Sequence, residues 1–171
     1  MKIAFLGGSF NPPHKGHIEA ADLAKKTLGV DMVVFLVTPH NPFKSGKELL
    51  PIKRRVDLLK ALIKRPWAKV STIETKFRTA ESINTIHLLK KLHICDKIYF
   101  VLGTDNLAHF HKWNGFQKIL KTVSVVFINR GGVNIHKTLR QTKIPRKEVT
   151  IIYKQTTAIS STQIRKSKIL R

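Results

Sequence analysis

Six short apolar runs punctuate this chain, at residues 2–6, 32–37, 70–73, 98–102, 123–128 and 149–153. They are rich in Val, Ile and Phe and nearly continuous, as strands buried on both faces should be. Stretches with helical spacing lie between them. Residues 18–28 set Ile18, Ala21, Leu23, Ala24 and Leu28 mostly on one side; residues 53–64 do the same with Val56, Leu59, Leu62 and Ile63, and residues 83–92 with Ile83, Ile86, Leu89 and Leu92. Gly29 is placed to cap the first stretch, and Pro66 to stop the second. Strand alternating with helix implies an α/β fold, a Rossmann-like doubly wound sandwich around a mainly parallel central sheet. The length fits a single domain over residues 1–171. Residues 133–147 are polar, basic and weakly patterned, and are expected to be irregular.

The turn after the first run carries the most chemistry. Residues 7–17 read GGSFNPPHKGH, between the apolar run and an amphipathic stretch starting near Gly16. Strand, glycine-rich turn and helix together aim backbone N–H groups and a helix N-terminus at one point, which suits a phosphate. Gly7 and Gly8 lack a Cβ and let the backbone approach a ligand closely. Pro12 and Pro13 are expected to keep the loop extended. His14 and His17, three apart, should share one face at the helix start and stay partly exposed. In a doubly wound sheet, ligands sit beyond the carboxyl ends of the strands, where this turn lies.

Charge narrows the partners. Thirty-two Lys and Arg against ten Asp and Glu give a net +22. From residue 106 onward, 14 basic residues face one acid, Glu148. Such a field attracts anions, nucleotides or nucleic acid. The basic residues are scattered through apolar-patterned segments and form no stripe interleaved with aromatics, so nucleic acid is disfavoured. Cys95 is the only cysteine, which rules out a disulfide framework or a cysteine metal site. No apolar run reaches ~18 residues, the span of a membrane helix, and the N-terminus lacks the regions of a signal peptide. A cytoplasmic protein is expected.

Other nucleotide motifs are missing. There is neither a GxxxxGK(S/T) loop nor a GxGxxG, and the second run ends Val37-Thr38-Pro39, with no acid to hold a ribose. No tightly bound organic cofactor is expected. After the fourth run come Gly103, Thr104, Asp105 and Asn106. A glycine then a carboxylate at a strand's carboxyl end can accept from ribose hydroxyls; alone, it is equally an Asx turn. Near the other end, residues 159–165 read ISSTQIR. Ser160 or Ser161 can cap a helix there, and Arg165 projects a fork of donors suited to phosphate. Alone, this is an ordinary capped helix.

Taken together, GGSFNPPHKGH and ISSTQIR resemble the HxGH and ISSTxIR signatures of the nucleotidylyltransferase superfamily, in the version of the bacterial nicotinate-nucleotide adenylyltransferases. The resemblance runs from Lys2 to Arg165. It implies an ATP site of Gly7, Gly8, Ser9, Phe10, His14, His17, Gly103, Asp105, Ile159, Ser161, Thr162 and Arg165. It also implies a mononucleotide site of Asn41, Lys44, Thr85, Trp113 and Arg130. In the family, the tryptophan of an FxxW stretch (here Phe110 to Trp113) stacks on the pyridine ring, and the threonine aligned with Thr85 hydrogen-bonds the nicotinate carboxylate. Lys44 belongs to a PxxxPxK-like loop that begins at Pro39. Departures fall at Ile83, Asn84, His87 and Leu88 around Thr85, and at Gly131, where the family has proline.

The activity so implied transfers AMP from ATP to nicotinate mononucleotide, giving deamido-NAD and pyrophosphate. His14, His17, Lys44 and Arg165 are the implied catalytic residues, with Mg²⁺ delivered by ATP. The substrates are small molecules, no membrane partner is implied, and a homo-oligomer is left open. Two alternatives stand beside this reading. Phosphopantetheine adenylyltransferase shares the fold and suits the length, but His14, Trp113 and the loop to Lys44 argue against it. A basic nucleic-acid-binding module is the alternative from another class.

Overall fold

The computed structural model describes residues 1–39, 49–79, 81–129 and 133–153, and in it the apolar runs become the strands of one sheet. The elements are β1 (Lys2–Gly8), α1 (Lys15–Leu28), β2 (Met32–Val37), α2 (Ile52–Leu62), β3 (Ala68–Ser71), α3 (Ile73–Lys76) and α4 (Ser82–Lys91), followed by β4 (Lys97–Gly103), α5 (Leu107–Phe110), α6 (Phe116–Thr122), β5 (Ser124–Asn129), α7 (Ile135–Thr142) and β6 (Val149–Tyr153). All five strand pairings are parallel, in the order β3-β2-β1-β4-β5-β6. The chain winds outward from β1 in one direction, returns, and winds outward from β4 in the other. The reversal falls between β1 and β4, the place beyond the strand ends where doubly wound sheets bind ligands.

The two faces of the sheet are packed differently. On one, Ala20, Ala21 and Ala24 of α1 and Leu59 of α2 meet Ala4, Leu6, Val33 and Phe35. Alanines let α1 lie close to the sheet, which draws its N-terminus toward the tip of β1. On the other, Ile86, Leu107, Phe110, Ile119 and Leu139 from α4 to α7 pack on Phe5, Leu36, Phe100 and Phe127. Each large side chain so buried stabilises the fold by about 1.5–3 kcal/mol. Gly29 caps α1 at φ 58°, the left-handed conformation that favours glycine.

Three expectations need correction. Residues 133–147 are not irregular. Asn134 caps α7 by accepting from the Lys137 N–H at 3.0 Å, and Ile135, Leu139 and Ile144 are buried. Leu62 and Leu92, expected on apolar faces, are 39% and 47% exposed, at or just past the ends of their helices. The third strand ends at Ser71, and Ile73 opens α3. β3 is an edge strand, so its burial is partial and its pattern weak.

Candidate active site

β1 ends in Gly7 and Gly8 at the switch point, beside β4, with Leu6 opposite Val101. The reason for glycine at position 8 is internal. A Cβ there would lie 3.1 Å from the tip of the Phe10 ring and 3.3 Å from two further ring atoms. Phe10 folds back over Gly8 at φ 47°, a left-handed backbone that costs a non-glycine residue energy. Its ring is 2% exposed. It meets Phe35 edge-on at 5.7 Å and His17 at 5.0 Å. Gly8 thus makes room for Phe10, and Phe10 supports His17. Gly7 would place a Cβ in ordinary contact with Leu102. The loop expected to be extended contains a cis Asn11–Pro12 peptide.

His14 stands at the N-cap of α1 in extended backbone, and the first turn of that helix contains no acid. The positive end of the helix is therefore not neutralised from within. The two imidazoles lie with centroids 3.8 Å apart, as their spacing predicts. The His14 N–H donates to His17 Nδ1 at 3.1 Å. An accepting Nδ1 carries no proton, so in the neutral ring the hydrogen sits on Nε2. His17 is half-buried, but His14 is only 6% exposed. The expectation of partial exposure fails for His14 because the turn closes over it.

Two buried ionisable side chains beside this turn escaped the sequence. Arg55, on α2, is 2% exposed. Its guanidinium donates to the carbonyls of Ser9 (2.7 Å), Thr38 (2.8 Å), Pro39 (3.3 Å) and Leu50 (2.8 Å). Burial lowers its pKa, yet an arginine stays charged. A faint signal existed: Arg55 lies four residues before Leu59, on the apolar face. Glu74, on α3, accepts from the hydroxyls of Thr38 (2.5 Å) and Thr85 (3.1 Å). Burial pushes its carboxyl up from 4.5, and the two hydroxyl bonds oppose that rise. Nothing in the sequence marked Glu74. The Thr38 N–H also donates to Gly8 O at 3.0 Å. Asn11 accepts from the Leu50 N–H at 2.9 Å.

The neighbouring strand tip holds Gly103 and an exposed Asp105 in a short 3-10 turn over Thr104–Asn106. Thr104 reaches Asn129 Oδ1 at 3.3 Å. Trp113 is half-buried, its ring 5.2 Å from Phe110. The turn after it docks on the start of α4. Asn114 donates to Glu81 at 2.8 Å, and Gly115, at φ 67°, would put a Cβ 3.1 Å from Ile83. Thr85 is turned inward. It is 0% exposed, and its hydroxyl is engaged by Glu74, by Thr79 and by Glu81 O. Gly7, Gly8, Ser9, His14 and His17 thus gather at β1, with Gly103 and Asp105 at the adjacent β4. Asn41, Lys44, Arg130, Ile159, Ser161, Thr162 and Arg165 lie outside the described residues.

Comparison with known proteins places this fold. The cytidylyltransferase-like family model matches residues 5–167. A protein of Brucella abortus (strain 2308), named probable nicotinate-nucleotide adenylyltransferase, is 35% identical over 132 residues, 77% of this chain and 68% of its own length. One of the same name from Agrobacterium fabrum is 30% identical over 162 residues, 91% of this chain and 87% of its own. Among solved structures, Plasmodium falciparum nicotinic acid mononucleotide adenylyltransferase, complexed with NaAD, superposes with a TM-score of 0.78 at 20% identity, over 96% of this chain and 82% of that one. The same enzyme complexed with APC gives 0.78 at 19%, with the same coverage.

Proposed function

This chain belongs to the cytidylyltransferase-like family and, within it, to the nicotinate-nucleotide adenylyltransferases, and on that premise we propose how its residues act. It transfers AMP from ATP to nicotinate mononucleotide, giving deamido-NAD and pyrophosphate in NAD biosynthesis. The mononucleotide 5′-phosphate attacks the α-phosphorus in line. No side chain need form a bond to substrate, so catalysis is positioning plus stabilisation of developing charge. The observation that carries the site assignment is the imidazole pair of His14 and His17, 3.8 Å apart at the acid-free N-terminus of α1. His17 Nε2–H donates to a phosphate oxygen as charge builds on the α-phosphate and the bridging oxygen. His14, with less access, stabilises the same charge and fixes His17 through its N–H.

Lys44 and Arg165 are assigned to the leaving pyrophosphate, with Ile159, Ser161 and Thr162 beside it. Asp105 is assigned to the adenosine ribose, Trp113 to the pyridine ring, and Asn41 and Arg130 to the mononucleotide. With Thr85 turned inward, the pyridine carboxylate is assigned to the start of α4 rather than to that hydroxyl. Mg²⁺, which binds substrate phosphates and keeps its waters, arrives with ATP and supplies further charge neutralisation. The proposal also includes a cytoplasmic setting and a single nucleotidylyltransferase domain. Among the described residues, no helix is long and apolar enough to cross a membrane.

The test is pyrophosphate release from ATP with three acceptors: nicotinate mononucleotide, nicotinamide mononucleotide and phosphopantetheine. Nicotinate mononucleotide is expected to give the highest kcat/KM. A preference for phosphopantetheine would overturn the acceptor assignment while leaving the chemistry intact.

A further inference from the structure

We propose that Arg55 is a positioning residue for polyphosphate, holding the β1 turn in its anion-binding shape from behind. The inference rests on the phosphate site proposed above and assigns it a residue that touches no substrate. Three segments converge on one guanidinium: the turn after β1 through Ser9 O, the tip of β2 through Thr38 O and Pro39 O, and the chain before α2 through Leu50 O. Carbonyl oxygens left loose at a strand tip present negative dipole ends toward an incoming phosphate. Arg55 draws three of them, those of Ser9, Thr38 and Pro39, onto itself together with Leu50 O. A trans peptide whose oxygen is so held presents its N–H in the opposite direction. For Ser9 O that N–H belongs to Phe10, whose ring supports His17.

Charge acts in the same sense. All four bonds go to neutral carbonyls, and among the described residues Arg55 has no carboxylate in hydrogen-bonding range. Its positive charge is thus not cancelled by an ion pair there, and in a low-dielectric surrounding it favours an anion at the adjoining turn. Lysine cannot replace it: an ammonium is a point donor, whereas the planar fork reaches acceptors on several sides at once.

The experiment compares ATP binding by equilibrium dialysis, steady-state kinetics and thermal unfolding for wild type, Arg55→Lys, Arg55→Gln and a control, Leu59→Ala. Leu59 is fully buried one helical turn further along α2 and packs in the core. Arg55→Lys and Arg55→Gln are expected to raise the Kd for ATP by about tenfold or more, the size of one or two lost hydrogen bonds to a charged group. The KM for the mononucleotide should stay nearly unchanged. Leu59→Ala should lower the Tm and leave the Kd for ATP alone. If Leu59→Ala and the Arg55 variants weaken ATP equally, or if the Arg55 variants bind ATP as wild type does, Arg55 is only structural and the proposal is wrong. Loss of the fold in both Arg55 variants would likewise assign it to the core. A wild type that binds ATP without releasing pyrophosphate would refute the functional reading instead, and the Kd comparison would still decide for or against Arg55.

Discussion

The tip of β1 is held by distant parts of the chain, whereas the tip of β4 is held mostly by its own sequence neighbours. At β1, Gly8 O accepts from Thr38, Ser9 O from Arg55, Asn11 from Leu50, and Phe10 is wedged between Phe35 and His17. At β4, Asn106 reaches back to Gly103 O and Asp105, each at 3.3 Å, and Thr104 reaches Asn129. Asp105 stays exposed. The difference fits the two tasks proposed for these tips. Stabilising charge that appears only in the transition state needs donors fixed in advance. Gripping a ribose needs an accessible carboxylate that can adjust. The two tips should therefore respond differently to substitution: β1 in turnover, and in stability as well where the side chain is buried, β4 in affinity alone.

The largest effect is expected at His17. His17→Ala should cut kcat by two orders of magnitude or more, since a lost charge-stabilising donor costs about 3–4 kcal/mol. Its Tm should move little, because the side chain is half-buried. His14→Ala should match it in turnover but lose more in Tm, because His14 is almost wholly buried. Near-normal kcat in both variants would dissolve the comparison. Gly8→Ala comes next. The new methyl must displace a ring that has no free side, and overpacking of that kind costs about 1–3 kcal/mol. Thermal unfolding should shift down by several degrees, about 2–4 °C per kcal/mol for a chain of this size. Turnover should fall about tenfold as His17 moves with Phe10, since a misplacement of about 1 Å can cost 100-fold. Gly7→Ala, with its Cβ in ordinary contact, is the milder control.

What could be read in advance follows from how local each feature is. β2 and β6 were legible to the residue because Met32–Val37 and Val149–Tyr153 are unbroken apolar runs between turn signals. The histidine pair was legible because an N-cap residue and the residue three on, at the third helical position, lie side by side at a helix start. α7 was missed: its buried side consists of little more than Ile135 and Leu139, too narrow a stripe to stand out among lysines and arginines. Arg55 was barely legible and Glu74 not at all, for a different reason. A charged residue is read as surface by default, and only partners drawn from several segments make its burial tolerable. The Gly8–Phe10 packing belongs to the same class, since composition cannot distinguish a glycine opened for a ligand from one opened for a ring two residues on.

Glu74 sharpens the comparison through pH. Its carboxyl is raised above 4.5 mainly by burial, so between 4.5 and that higher value the folded chain keeps a proton that the unfolded chain has released. Stability from this group is therefore greatest at and below 4.5, declines as pH rises through the window, and levels off above it. Glu74→Gln should flatten the Tm–pH curve over that range and leave the variant at least as stable as wild type at neutral pH. Thr38 and Thr85 can keep one bond each to the amide. Wild-type slope in the variant, together with a lower Tm at neutral pH, would mean that the ionised carboxylate is favourable where it stands.

The smallest structural effect is expected at β4. Asp105→Asn removes charge and keeps shape on an exposed side chain, so the Tm should change by no more than surface substitutions usually cause, within about 0.5 kcal/mol. Hydrogen bonds to a charged group contribute about 1.5–3 kcal/mol, and an amide oxygen accepts more weakly than a carboxylate. The KM for ATP should therefore rise by about tenfold, with kcat within a few-fold of wild type and the KM for the mononucleotide unmoved. That pattern, a one-substrate KM effect with kcat and stability held, differs from the loss of turnover expected at His14, His17 and Gly8. A fall in kcat comparable to that of His17→Ala would place Asp105 at the reacting phosphate. A rise confined to the mononucleotide would move the ribose it contacts to the other substrate. Either result would end the division of labour between the two strand tips, because the accessible tip would then be carrying chemistry without the buried scaffold that holds the first in place.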